Sequence, residues 1–375
     1  MKKISKISLS LLLAAVLVII AACGNKNTTN NANSGAAESA APSQDAASAA
    51  PSGDSDLASL KGKKVALVMQ FNTGTFSAQY VEGVKEQVEK FGGKVQVFAS
   101  DNDLVKMASN LDAAINQGYD GILLDHGQAS ALEAGAKKAV AKGIKVISFD
   151  SDLNVDGVTM LQQDDQKMAD LTLEQLAKDT GGKGNIVKVW VAGFAPMERR
   201  QISYKAFQAK YPDIKEVAAF GNANNPQVDT QAQMKAILTK YPKPGQITAV
   251  WAAWDEFAKG AARAIQEAGR TDIKVYGIDM SDEDLQMIQD PNSPWIASAA
   301  TDPKDIGRVQ VRTLYKMLKG EQVDKTITLE SVYVSRDQLP TDKKINTTEL
   351  AQYVDGWGSS TQNYEDWMKE LEAQN

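Results

Sequence analysis

Residues 247–279 read ITAVWAAWDEFAKGAARAIQEAGRTDIKVYGID, and this unit decides the fold. ITAVWAA is a short apolar run of strand type, and IKVYGID is another. Between them DEFAKGAARAIQEAG carries apolar side chains at helical spacing and stops on Gly269. Two short strands joined through a helix form a right-handed crossover, which sets the strands parallel with the helix over one face. Trp251 lies inside the first strand and is expected to pack between sheet and helix. Trp254 stands at that strand's carboxyl end, directly before Asp255 and Glu256.

The same alternation runs along most of the chain. KVALVMQ, KVQVFAS, YDGILLD and IKVISFD read as strands, separated by FSAQYVEGVKEQVEKFGG, DLVKMASNLDAAINQG and ASALEAGAKKAVAKG as helices. It resumes with MADLTLEQLAKDTGG, NIVKVWV, RQISYKAFQAKYP, KEVAAFG and TQAQMKAILTKYP. Strands alternating with helices of this length predict α/β architecture with parallel sheets covered on both faces. The units are too many for one ordinary sheet, and a break at MLQQDDQ, residues 160–166, divides them about evenly. Two doubly wound lobes are therefore expected. A (β/α)8 barrel is the rival, weakened because the units exceed eight.

The first 22 residues, MKKISKISLSLLLAAVLVIIAA, order three lysines, an acid-free apolar run and small residues, as an export signal does. The stretch IAAC followed by Gly resembles the lipobox of bacterial lipoproteins, which implies acylation of Cys23. Cys23 is the only cysteine, so no intrachain disulfide is available. Residues 24–56 are mostly Ala, Ser, Asn and Gly without an aromatic side chain, a composition that predicts a flexible tether between anchor and body. Removing residues 1–22 leaves 38 basic against 47 acidic side chains. A surface of that balance argues against nucleic acid, whose phosphates need a basic face.

In open α/β sheets ligands bind beyond the carboxyl ends of the strands. Gln70, Phe71, Asn72 and Phe76 follow the first strand, and Asp125 and His126 follow GILL. Asp150, Ser151 and Asp152 follow KVISF. In the second half Arg199 and Arg200, then Asn222, Asn224 and Asn225, then Trp254 and Asp255, and finally Asp279 occupy such positions. Carboxylates and carboxamides accept and donate to hydroxyls, Arg donates to ring oxygens, and aromatic faces cover C–H surface, so the set suits a polyhydroxylated ligand. Each Asp or Asn has a plainer use as the N-cap of the next helix, and Asp255 could cap and bind at once. Phe71 and Phe76 could be core residues, and the lone His126 a satisfied structural one. No cofactor and no metal are expected: the oxygen-rich DxDxDG loop is absent, as are GxSxG, GxxxxGK[ST] and GxGxxG.

The body resembles the type I periplasmic binding proteins of the ribose-binding branch over residues 63–334. The likeness rests on KKVALVMQFNTGTFSAQYVEGVKEQVEKFGGKVQV, AAINQGYDGILL, GIKVISFDSD, AVWAAWDEFAKGAARAIQEAGRTDIKVYGID and IASAATDPKDIGRVQVRTLYKMLKGE, in that order. The resemblance implies two similar lobes joined by three crossing strands and closing over a sugar. It would place 61–163 with 302–329 in the first lobe and 164–301 with 330–340 in the second. Before and after them come the signal (1–22), the lipidated Cys and tether (23–60) and a C-terminal tail (341–375).

By the same resemblance Asp150, Phe76 and Asp279 fall on ligand positions, as does Arg200, with Arg199 the alternative one residue away. Ser151, Trp254, Asn225 and Thr301 stand where the family has an arginine, an asparagine, an aromatic and a glutamine. The implied function is a monomeric, lipid-anchored extracytoplasmic receptor that binds a sugar or polyol and delivers it to an ABC permease, without catalysis. The rivals are a sensory subunit for a chemoreceptor or kinase and a secreted glycosidase.

Overall fold

The structure, a computed structural model, describes residues 57–375, so the expected export signal, Cys23 and nearly all of the tether lie outside the described residues. The body holds two open six-stranded sheets, and the barrel is excluded.

The first sheet contains β1 (Lys64–Met69), β2 (Lys94–Ala99), β3 (Gly121–Asp125), β4 (Lys145–Phe149), β5 (Val158–Gln163) and the late strand β11 (Thr326–Leu329). Its order is β2-β1-β3-β4-β5-β11, parallel throughout. Helices α1 (Gly74–Lys90), α2 (Leu104–Asn116) and α3 (Ala129–Ala141) are its crossovers. Successive side chains of a strand point to opposite faces, and β1 divides accordingly. Val65, Leu67 and Met69 join a core with Tyr80, Val84 and Ile306, whereas Ala66 and Val68 join another with Met107, Leu111 and Leu132. A strand buried on both faces explains the unbroken apolar run.

The second sheet contains β6 (Gly184–Val189), β7 (Ile214–Phe220), β8 (Ala249–Ala252), β9 (Lys274–Ile278), β10 (Trp295–Ala300) and β12 (Val332–Ser335), in the order β7-β6-β8-β9-β10-β12. Only β12, against β10, runs antiparallel. Its helices are α4 (Asp165–Thr180), α5 (Ala195–Lys210), α6 (Pro226–Lys240), α7 (Asp255–Glu267) and α8 (Asp282–Gln289). The stretch 247–279 forms β8, α7 and β9 with the two strands paired in parallel.

The chain passes between sheets after β5, after β10 through α9 (Pro303–Lys319), and after β11. Where α9 crosses α1 the backbones nearly touch. A Cβ on Gly83 would lie 2.2 Å from the Lys304 carbonyl oxygen, and one on Gly307 2.6 Å from that of Tyr80. Residues 341–375 make a further passage: Ile345, Leu350, Val354 and Trp357 are buried in the second lobe's core. The segment then enters the first lobe, where Met368 and Leu371 of α10 (Asp366–Ala373) are buried.

Candidate functional site

Each sheet reverses its strand order once, between β1 and β3 in the first lobe and between β6 and β8 in the second. At such a switch point the neighbouring connections leave in opposite directions and open a crevice beyond the strand ends. The two crevices face each other across one cleft of about 650 Å³, part of it open to solvent. Phe71, Thr73, Phe76, Ser77 and His126 line it from the first lobe, and Gln163 from the crossing strand. Val191, Phe194, Met197, Arg200, Trp254, Asp255 and Asp279 line it from the second.

The lobes touch around this cleft. Asn102 Nδ2 donates to Asn224 Oδ1 at 2.8 Å, Gln128 Nε2 to the Gly193 carbonyl at 2.9 Å, and Arg199 to Asp150 at 2.6 Å.

The residues that follow β3, β4 and β9 share a backbone state. His126, Asp150 and Asp279 have φ of 60°, 48° and 75°, the left-handed region that Asp, Asn and His tolerate better than bulkier residues. Each still donates its N–H to the adjacent strand, to Phe149, Leu161 and Ala299 respectively. The ladder therefore continues for one residue while the chain turns away.

A buried charge network floors the cleft. Arg200 is 2% exposed and gives Nε to Asp165 at 2.8 Å, Nη1 to the Ala253 carbonyl at 2.6 Å, and both Nη groups to Asp279 at 3.3 Å. Arg199 gives Nε to Asp165 and Nη2 to Asp150, each at 2.6 Å. Gln163 Nε2 reaches Asp150 at 3.2 Å. Burial pushes the Asp165 carboxyl up to about 7 against the pull of Arg200, and that of Asp279 up to about 6 against the same cation. Burial opposes the charge on Arg200, but Asp279 and Asp165 outweigh it and hold the guanidinium protonated.

Beside this network Lys259, fully buried, holds Asp255 at 3.1 Å, Glu256 at 2.6 Å and Asp284 at 3.1 Å. The start of α7 is thereby fixed by its own second turn. Among the buried polar atoms without a hydrogen-bond partner in the described residues, two acceptors belong to residues that line the cleft, Asp255 Oδ1 and Gln163 Oε1; Thr230, Asp284, Tyr315 and Trp367 hold the others, away from it. An acceptor removed from water and left unpaired is costly, which is the signature of a position that meets a ligand donor.

Of the residues expected from sequence, Phe71, Phe76, His126, Arg200, Trp254, Asp255 and Asp279 line the cleft. Asp150 lies just behind, bound to Arg199 and Gln163. Gln70 ties two loops, giving Nε2 to Asn102 and accepting from the Gly127 N–H. Asp152 accepts from the Ala129 N–H at the start of α3, Asn72 is exposed, and Asn225 is an exposed N-cap whose side chain makes no capping bond. The neighbouring Ala223 lines the cleft instead. Thr301 hydrogen-bonds Glu330 and Ser331 where the strands cross, in a separate depression.

Asp255 is not a cap: the N-cap position of α7 is Trp254, without a side-chain cap bond. Trp251 is buried and stacks on Tyr204 with centroids 5.1 Å apart. Gln163, Phe194 and Met197 were not anticipated. Gln163 is the last residue of β5, so the strand-end rule finds it once that strand is recognised. The stretch GFAPM, which runs from the loop into the first turn of α5, carries no comparable signal. Among the described residues no group of three or more His, Cys, Asp or Glu is placed to hold a metal, and no helix is long and apolar enough to cross a membrane.

Two doubly wound lobes closing on a polar and aromatic cleft define a solute-binding protein of the two-lobed class. The comparison with known families gives the particular one: the chain belongs to the periplasmic binding protein family, whose domain model matches residues 65–322. A sugar ABC transporter structure from Yersinia enterocolitica is 38% identical with a TM-score of 0.81, covering 88% of this chain and 99% of that one. The 5-methylthioribose transporter solute-binding protein of Thermotoga lettingae, solved with 5-methylthioribose, is 33% identical with a TM-score of 0.79, covering 83% and 97%. The xylitol-binding protein of Mycolicibacterium smegmatis is 26% identical over 83% of this chain and 88% of its own length.

Proposed function

We propose that this chain is the extracytoplasmic solute receptor of an ABC importer, which takes a sugar or related polyol into the interlobe cleft and presents it to the membrane permease. The observation that carries the reading is the pair of buried, unpartnered acceptors, Asp255 Oδ1 and Gln163 Oε1, beside the aromatic side chains of Phe71 and Trp254. Hydroxyl donors and C–H faces in one small molecule satisfy both. Relatives that bind xylitol and 5-methylthioribose support it. The protein binds and releases its solute unchanged and is not an enzyme.

Closure follows from contacts made only when the lobes meet, so ligand shifts the population toward the shut form. Acidic side chains on both lobes would then face basic groups of the permease. The mature protein would be a monomer held by lipid on Cys23, which Cys23→Ala should release from membranes. A thermal-shift and titration panel of pentoses, hexoses and polyols tests the central claim, because a ligand that binds only the native state raises its stability. Stoichiometric binding of at least one member is expected. Turnover of any sugar, or no binding across the panel, would overturn it.

A further inference from the structure

The cleft is divided into two unlike ends. At its polar end the donors are nearly all spent: Arg200 is engaged by Asp165, Asp279 and the Ala253 carbonyl, and both Asp279 oxygens already accept from it. What remains for a ligand is acceptance at Gln163 Oε1 and Asp255 Oδ1, together with the hydroxyls of Thr73 and Ser77 and the second ring nitrogen of His126.

The other end is a corner of aromatic rings. The centroid of Phe71 lies 5.6 Å from that of Phe194 at 46° and 5.9 Å from that of Trp254 at 56°. Two aromatics that sandwich a sugar ring need near-parallel faces about 7–8 Å apart, two van der Waals separations. These rings instead touch one another and are tilted, so together they form one concave apolar wall. Met197 and Val191 line the cleft with them. A hydroxyl pressed onto those ring faces would lose its water and depend on the His126 ring, edge-on to Phe71 at 5.6 Å, whereas an alkyl or thioether group loses nothing and gains contact.

Resting on the reading of this cleft as a sugar or polyol site, we propose that the solute is an amphipathic sugar: a small hydroxylated body held by Gln163 and Asp255, bearing an alkyl or alkylthio substituent seated among Phe71, Phe194 and Trp254. The specificity of the receptor then resides in the apolar wall, and the polar end sets orientation.

Calorimetric titration of the purified protein with two probes differing in one substituent, ribose and 5-methylthioribose, tests this. The methylthio sugar is expected to bind at least tenfold more tightly, about 1.4 kcal/mol. Phe194→Ser, at the N-cap of α5 where serine suits the backbone, is expected to narrow that ratio below threefold, with unfolding temperature confirming that the variant folds. Equal or tighter binding of ribose by the native protein, or an undiminished ratio in the folded variant, overturns the amphipathic assignment while leaving a sugar receptor in place. Failure of both probes, and of the wider panel of sugars and polyols, overturns the receptor reading beneath it.

Discussion

Trp251 and Trp254 are three residues apart and have opposite surroundings. Trp251 is enclosed, stacked on Tyr204 and hydrogen-bonded through Nε1 to Thr172 at 3.1 Å. Trp251→Ala should therefore cost about 3–5 kcal/mol of stability, the usual range for deleting a buried aromatic, read as a shift of the denaturation midpoint. Trp254 is half-buried at the cleft wall. Trp254→Ala should weaken ligand binding roughly 10–100-fold, about 1.4–2.8 kcal/mol, while the unfolding midpoint stays near that of the native protein. Unchanged affinity in a titration would remove Trp254 from the site. The difference was legible in the sequence because strand ends face the cleft in this fold. The partner of Asp255 was not: Lys259 reads as an ordinary exposed helix lysine until the fold buries it between α7 and the start of α8.

Among the elements, the pair α1 and α9 depends on two glycines. Gly307→Ala would put a methyl group 2.6 Å from the Tyr80 carbonyl oxygen, too close for backbone to yield cheaply. A loss of about 1–3 kcal/mol is expected from such overpacking, measured by chemical denaturation, and a neutral outcome would mean that the helices slide apart freely. Periodicity recovered α1 to α7 with β1 to β4 and β6 to β9, because the central strands are buried on both faces and the helices end on glycine or before proline; the segment of α9 is marked by the family resemblance alone. The pattern gave less warning of β11, β12 and the last 35 residues, whose packing depends on which lobe they reach. In the same way, Phe194 and Met197 reach the cleft from the N-cap and first turn of α5, whose approach to the cleft no local pattern encodes.

At the scale of the whole molecule, the lobes close over carboxyl groups that hold their protons more tightly than a free aspartate does. Asp165 and Asp279 carry pKa values of about 7 and about 6, against about 3.9 for an unfolded aspartate. Folded protein thus binds these protons more tightly, so their stabilising contribution is complete below about pH 4 and is lost as pH rises through about 6 and then about 7. Burial opposes charge on His126, but the Asp125 carboxylate at 2.9 Å prevails and raises its pKa, which works in the same direction. Asp272, held down to about 2 by its bond from Arg270, is ionised throughout that range and contributes no slope. The ligand-free protein should lose on the order of 4 kcal/mol from the two aspartates between about pH 5 and pH 8, seen as a falling melting temperature. Asp165→Asn should flatten the curve, and an equally steep curve in that variant would exclude Asp165 as a source.

The final segment also serves the whole. Removing residues 360–375 deletes the buried Met368 and Leu371 and should destabilise the first lobe by several kcal/mol, at about 1.5–3 kcal/mol per buried side chain. Two separated unfolding transitions in calorimetry would reveal the weakened lobe.

That segment finishes beside the start of the body: Lys61 Nζ reaches the Gln374 carbonyl at 3.2 Å, and Asn375 Nδ2 the Lys90 carbonyl at 3.4 Å. Since both ends of the folded unit share one face of the first lobe, a linker of a few residues could join them at small entropic cost. New ends could then be opened at the turn 181–183, giving a circularly permuted receptor whose ends lie on the second lobe instead of the first.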